Sequence, residues 1–272
     1  MYEYYFLFAL AFVWLCFAVV QDIRTREISN WLNFSLLSFA LLYRAYVALV
    51  TDNSGFFWWG IISTIFFVFL AYILYYGRAF AGGDAKLLMA LGPVIPFERL
   101  SDALVLGFGF IAALFLLGSI YSLLYTLVLV PQQWKAFKKS FVVQIRDIRS
   151  LTFICLLLGV VMGVAFAFID LVIGLSMFIA LALLPLLYSY GKTVERVFFI
   201  KTVSAARLTE GDWLVRGVRV GKLFIKPSVQ GLTLKDIALL RKAGKSVVIK
   251  EGIPFSPAFL LAFLAMVFFF LG

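Results

Sequence analysis

The stretch that decides the fold is Tyr4-Tyr5-Phe6-Leu7-Phe8-Ala9-Leu10-Ala11-Phe12-Val13-Trp14-Leu15-Cys16-Phe17-Ala18-Val19-Val20, which runs straight into Gln21-Asp22-Ile23-Arg24. Seventeen uncharged residues approach the ~20 needed to cross a ~30 Å hydrocarbon core, and they end on a carboxylate beside a guanidinium. The flank before the run is acidic (Glu3) and no small-residue cleavage site follows, so a retained span is expected rather than a cleaved signal peptide. The rest of the chain has the same character. Of 272 residues, 64% are hydrophobic and 14% charged, more apolar surface than a soluble domain of this length can cover. The fold class expected is an all-α polytopic membrane protein, its lipid-facing surface partnered by a bilayer.

Hydropathy gives eight candidate spans, at 4–21, 32–50, 56–76, 86–97, 103–130, 151–169, 171–190 and 256–271, and six to eight as the expected number of transmembrane helices. The fourth is too short to cross unaided and begins at Gly82-Gly83-Asp84, as a half-buried helix bordering a polar cavity would. The sixth and seventh are separated only at Asp170. A second kind of sequence occupies 191–255, rich in charge, and is expected to form a small α+β domain near the C-terminus. Val194–Val203, Val215–Ile225 and Ser246–Lys250 favour strands, and Thr233-Leu234-Lys235-Asp236 reads as a capping box opening a short helix. The domain organisation expected is therefore 1–130 as the N-terminal membrane region, 131–150 as a basic loop with an amphipathic helix, 151–190 as a helical hairpin, 191–255 as the α+β domain, and 256–272 as the last transmembrane helix.

Orientation follows from basic residues. With alternate loops grouped, all but two of the 24 Lys and Arg fall on one side, and Arg44 and Arg99 on the other. The positive-inside rule makes the rich side cytoplasmic and puts the N-terminus outside the cell membrane. The net charge of +10 is then topogenic, and no nucleic-acid partner is required to explain it.

The same count brings two residues together. Asp22 closes the first span and Asp84 follows the third, in Ala81-Gly82-Gly83-Asp84-Ala85-Lys86. One out-and-back excursion separates them, so both face the cytoplasm. A carboxylate beside a membrane segment is costly to keep and is a functional hypothesis by default. Two that can reach each other suit water activation, because like charges at close range split into one ionised and one protonated group. The bland alternatives are a solvated interfacial charge for Asp22 and an ordinary Gly-Gly loop before Asp84. Gly82 and Gly83 would let a peptide backbone approach. Lys86 would either hold Asp84 charged or serve only as a positive-inside residue. With no histidine, a Ser-His-Asp triad and a His-ligated metal are excluded, and the lone Cys16 and Cys155 offer neither a CxxC metal site nor a disulfide framework. No cofactor or metal is expected. Asp52, Glu98, Asp102 and Asp170 fall in external loops, where solvation explains them.

Gln21-Asp22-Ile23-Arg24-Thr25-Arg26-Glu27-Ile28-Ser29-Asn30 resembles the first motif of the type IV prepilin peptidase family, and Ala81-Gly82-Gly83-Asp84-Ala85-Lys86-Leu87-Leu88 through Gly92 resembles its second, the GxGD-type motif, with Ala81 in place of the first glycine. The absence of the bacterial zinc-binding cysteines, with Gly231-Leu232-Thr233 and Glu251-Gly252-Ile253-Pro254-Phe255, is similar to the archaeal branch of prepilin and preflagellin (archaellin) peptidases. The resemblance implies an aspartic endopeptidase with Asp22 and Asp84 as its catalytic pair. Its substrates would be pilin-like or archaellin precursors, cut on the cytoplasmic side to remove a short basic class III signal peptide. It also implies no methyltransferase activity. A presenilin-like protease and a proton-coupled transporter are the rival readings. The first would carry its leading aspartate deep in a span, and the second predicts inverted repeats that the sequence does not show.

Overall fold

A computed structural model describes residues 2–221, 223–228 and 230–271, with the Ala103 side chain left aside. Four helices open the chain: α1 (Tyr2–Thr25), α2 (Asn30–Val50), α3 (Ser54–Tyr76) and the ten-residue α4 (Gly82–Leu91). The single turn α5 (Leu100–Asp102) leads through a π-helical turn into α6 (Phe108–Leu129), followed by α7 (Trp134–Asp147), α8 (Arg149–Ala167) and α9 (Leu171–Val194). Six helical runs are long and apolar enough to cross a membrane, and the last helix, α11 (Ser256–Leu271), is apolar but shorter. This is a polytopic helical membrane protein with a small α+β domain.

The buried side of α1 is Tyr4, Leu7, Phe8, Ala11, Leu15, Ala18 and Asp22, a stripe at helical spacing whose last member is the carboxylate. In α2 the stripe is Leu32, Leu36, Ala40 and Arg44, and in α3 it is Phe56, Gly60, Ser63, Phe67 and Ala71. Small residues recur in these stripes, letting helices approach closely where lipid supplies no hydrophobic drive between them. The outward faces carry large apolar residues such as Phe12, Leu42 and Phe69, as a lipid-facing surface requires.

The two ends of the bundle are distinct. At one, Tyr4 packs its ring against Phe56 and Phe270, so the start of α1, the start of α3 and the end of α11 meet. At the other, the end of α1 meets the start of α11, where Asp22 accepts a hydrogen bond from the Ser256 backbone N–H. The α8–α9 hairpin closes on Gly159, Gly163 and Gly174, and Asp170 caps α9 by accepting from the N–H groups of Val172 and Ile173.

The domain between α9 and α11 holds β1 (Ile200–Ser204), β2 (Trp213–Leu214), β3 (Val218–Val220), β4 (Leu223–Ile225), α10 (Leu234–Lys242) and β5 (Ser246–Lys250). Its main sheet has the order β1-β5-β2, all antiparallel, and β3-β4 is a separate ribbon. Leu208, Leu214, Ile225, Ile237, Leu240, Val247 and Ile249 form its core. The expected strands at 215–225 and 246–250 and the Thr233 cap are present, the cap with Asp236 accepting from the Thr233 N–H at 3.1 Å. The first strand differs. It starts at Ile200, because α9 continues past Pro185 to Val194 and a π-turn at Glu195–Phe199 buries Phe198 and Phe199 under α7 and α9, overriding their strand preference.

Candidate active site

The first polar motif folds into a tied corner between α1 and α2. The Gln21 side-chain oxygen accepts from the Ser29 N–H at 2.9 Å and from its hydroxyl at 3.0 Å, pinning the loop. Arg26 sits in the left-handed region (φ 60°) just past α1, and that turn aims its guanidinium away from the helix. It donates to the Gly252 carbonyl at 2.7 Å and to the Tyr125 hydroxyl at 2.9 Å, joining α1, α6 and the chain leaving the α+β domain.

Asp22 is buried, at 6% exposure. Its Oδ2 accepts from the Ser256 N–H at 3.0 Å. That N–H belongs to the first turn of α11, where no intrahelical acceptor exists and the partial positive charge favours an anion. Sequence reasoning missed this partner. Its signal was Ser256-Pro257 at the head of an apolar run, since proline inside a first turn marks a helix start.

Asp84 lies on none of the six spans. It occupies the first turn of α4 and reaches back to accept from the Ala81 N–H at 3.4 Å. Burial of its carboxyl, and secondly the charge of Asp22, raise it to about 7, far above an ordinary carboxylate. The two aspartates from separate motifs thus sense one another, and both line one cavity of about 1720 Å³.

The other residues singled out from sequence take different parts. Gly82 and Gly83 are the first residues of α4 rather than a break before it, and neither has a positive φ. A Cβ on Gly83 would meet Ile28 at an ordinary 3.5 Å, so nothing in the chain's own packing demands glycine there. Lys86 donates to the Asn30 side-chain oxygen at 2.7 Å and makes no ion pair with Asp84, tying the two motifs to each other instead.

The cavity is walled on one side by the two motifs and on the other by the α+β domain, through Lys201–Ser204, Arg207–Trp213, the exposed face of α10 and Ile249–Gly252. An ionised and a protonated carboxyl at the edge of a water-accessible space can activate water against a polarised carbonyl.

Residues 9–130 match the profile of the type IV leader peptidase family. The preflagellin peptidase of Methanocaldococcus jannaschii is 29% identical over 89 residues, and that of Methanococcus voltae is 32% identical over 92 residues. Each alignment takes in 33% of this chain and 38% of the relative, so the similarity spans well under half of those proteins. No solved structure matches the chain. The matched stretch contains both aspartates and the tied corner between α1 and α2, so it is over the two-motif region that the chain is similar to the type IV leader peptidase family.

Proposed function

We propose that the protein is a membrane-embedded aspartic endopeptidase that removes the leader from archaellin or type IV pilin-like precursors at the cytoplasmic face, with Asp22 and Asp84 as its catalytic pair. The observation that carries the reading is that the two motifs converge on one cavity, where the Asp22 charge raises Asp84. The preflagellin peptidases among its relatives supply the substrate class.

In this reading Asp22 is the ionised member, resting against the N-terminus of α11. It takes a proton from a water held between the pair. The resulting hydroxide attacks the scissile carbonyl while Asp84 delivers its proton to the carbonyl oxygen. Asp22 then passes its proton to the amine nitrogen as the tetrahedral species collapses, and Asp84 recovers its own. The free energy comes mainly from positioning, since the tied corner and α4 hold both carboxyls before substrate arrives.

The test is incubation of membranes containing the protein with an archaellin or pilin-type precursor, followed by the mobility shift of the shortened product. Cleavage is expected at neutral pH, and no shift with either precursor class would contradict the substrate assignment. The pH profile carries a sign. Asp84 must be protonated to act, so cleavage is expected to fall as pH rises through about 7, approaching tenfold per unit beyond it. A rate that climbs through that region would contradict the role given to Asp84.

The reading also carries an orientation to test. The α+β domain stands at the same end of the bundle as Asp22 and Asp84, and the loop charges put that end in the cytoplasm. Protease added to sealed right-side-out cells is expected to spare residues 192–250, whereas inverted vesicles should expose them. Cleavage from outside would reverse the topology.

A further inference from the structure

The α+β domain has an open strand edge, and that edge borders the catalytic cavity. In the main sheet β1 is an outer strand, paired with β5 on one side and with no other strand among the described residues. Its hydrogen-bonding phase follows from two observations. The Glu251 N–H donates to the Phe199 carbonyl at 2.9 Å, and the Val215 N–H donates to the Val248 carbonyl at 3.0 Å. With the register Ile200↔Lys250 through Ser204↔Ser246, residues 247, 249 and 251 turn their main-chain groups toward β1, and 248 and 250 turn theirs toward β2. On β1, Lys201 and Val203 therefore bond to β5. Thr202 and Ser204 point their N–H and C=O groups outward, as does the Ile200 carbonyl. The Ser204 carbonyl opens the 3-10 turn Ala205–Arg207 and is committed there; among the described residues, the Thr202 N–H and carbonyl, the Ser204 N–H and the Ile200 carbonyl have no main-chain or side-chain hydrogen-bond partner. The Ile200 N–H is already committed, to the Glu195 carbonyl.

That edge faces the site. Lys201, Thr202, Val203 and Ser204 all line the cavity that holds Asp22 and Asp84. Side chains alternate between the faces of a strand, so four consecutive lining residues bring the main chain of β1 to the wall, which continues across Ile249 and Lys250 of β5. Lys201, Thr202 and Ser204 are exposed. An open edge is a template for another extended chain and is usually blunted or covered. Here it is left open beside two carboxyls, along a cavity larger than the ~300–1,000 Å³ of small-molecule sites.

We infer that β1 is the docking strand for the substrate: the hydrophilic segment of the precursor next to the scissile bond adds to the sheet beside Ile200–Ser204 through main-chain hydrogen bonds and lies extended across the cavity toward Asp22 and Asp84. This rests on the peptidase reading above and gives the α+β domain its task. An extended conformation is what the chemistry needs, because a peptide carbonyl inside a helix is bonded internally and shielded from attack. Main-chain pairing supplies affinity with little sequence demand, and the alternate side chains of the added strand meet the cavity walls.

Two substitutions at one position separate backbone from side chain. Thr202→Pro removes an outward N–H and obstructs the edge while leaving every bond to β5 in place, a position where a sheet tolerates proline. Thr202→Ala removes only the side chain. Binding of a synthetic archaellin-type precursor peptide is read on the Asp84→Asn protein, which separates binding from turnover, and cleavage is read with Asp84 intact. Thr202→Pro is expected to weaken binding and slow cleavage at least about tenfold, the scale of one lost main-chain hydrogen bond, and Thr202→Ala to stay within about twofold. A scan of the peptide, which leaves the protein untouched, guards against misfolding of the proline variant. N-methylation of successive amides in the peptide is expected to weaken binding at every second position. Cleavage by the unaltered protein with a scan lacking that period, or with Thr202→Pro as active as wild type, would overturn the docking strand and leave the peptidase standing. Period-two binding without any cleavage would support the docking strand and overturn the peptidase.

Discussion

Asp22→Asn and Asp84→Asn are each expected to reduce precursor cleavage to background, a loss of about 10²–10⁴-fold on the usual scale of general acid–base groups and more if the pair acts as a unit. Each change removes a different half of the chemistry. Asparagine at position 22 cannot accept a proton from water, and asparagine at position 84 cannot deliver one to the carbonyl oxygen. Because the two act together, the double variant is expected to be no slower than either single one. Folding should survive both. In Asp22→Asn the side-chain amide oxygen can still accept from the Ser256 N–H. At position 84 the exchange removes a carboxyl whose charged form is disfavoured. Its folded-state pKa is raised, so the native state retains its proton between the ordinary carboxylate range and about 7 while the unfolded chain does not. Stability is therefore lost as pH rises through that window, and Asp84→Asn should remove this part of the pH dependence. Thermal unfolding in detergent at two pH values checks it. Full cleavage by either single variant would dismiss the pair.

The second large effect is expected from a residue far from the chemistry. Arg44→Ala should destabilise the protein by about 3–5 kcal/mol and abolish cleavage with it, read as lost folded protein after extraction and a lowered unfolding midpoint. Arg44 is fully buried and has no carboxylate partner among the described residues. It donates instead to three carbonyls: Pro93 at 2.6 Å, Phe56 at 2.7 Å and Ile95 at 3.1 Å. Its guanidinium also stands over the rings of Phe56, at 4.6 Å, and Tyr4, at 5.3 Å. The Pro93 carbonyl is available because α4 gives way to a 3-10 turn at Gly92–Val94 and the chain leaves helical geometry, while the Ile95 carbonyl also accepts from the Phe97 N–H at 3.0 Å. Removing the fork leaves the buried Pro93 carbonyl unpaired, at ~1–3 kcal/mol, takes a second donor from the Phe56 and Ile95 carbonyls, opens a cavity where the side chain stood, and untethers the chain that follows α4, whose first turn carries Asp84. Arg44→Lys should restore little, since one ammonium cannot reproduce a fork spread over three acceptors and two rings. Gly60 belongs to the same arrangement. A Cβ there would collide with the Arg44 side chain, so the glycine makes room for the clamp.

Much of this could be read from the chain. Its apolarity determined the solvent, and the breaks at Gln21 and Ala81 located the two carboxyls. The buried stripe of α1, from Tyr4 to Asp22, is a helical period visible in sequence and points Asp22 inward. What escaped was set by closure of the whole bundle. The Ser256 N–H, the Gly252 carbonyl and Tyr125 reach the first motif from far along the chain, and no local pattern encodes such meetings. Arg44 escaped for another reason. A loop-charge count registers sign and side, so it entered as one of two basic residues on the sparse side, although its helical spacing from Leu32, Leu36 and Ala40 already turned it toward the core. Gly82 and Gly83 stand in the helical start of α4 with ordinary backbone angles, so their own conformation does not require glycine.

The central claim is that Asp22 and Asp84 form one coupled pair, and infrared titration of the purified protein in lipid tests it most directly. A protonated carboxyl C=O band that disappears in Asp84→Asn is expected to persist to neutral pH and titrate at about 7. In Asp22→Asn the same band should titrate at lower pH, because the neighbouring negative charge is gone while burial remains. A midpoint unchanged by Asp22→Asn would show two independent carboxyls and contradict the pair.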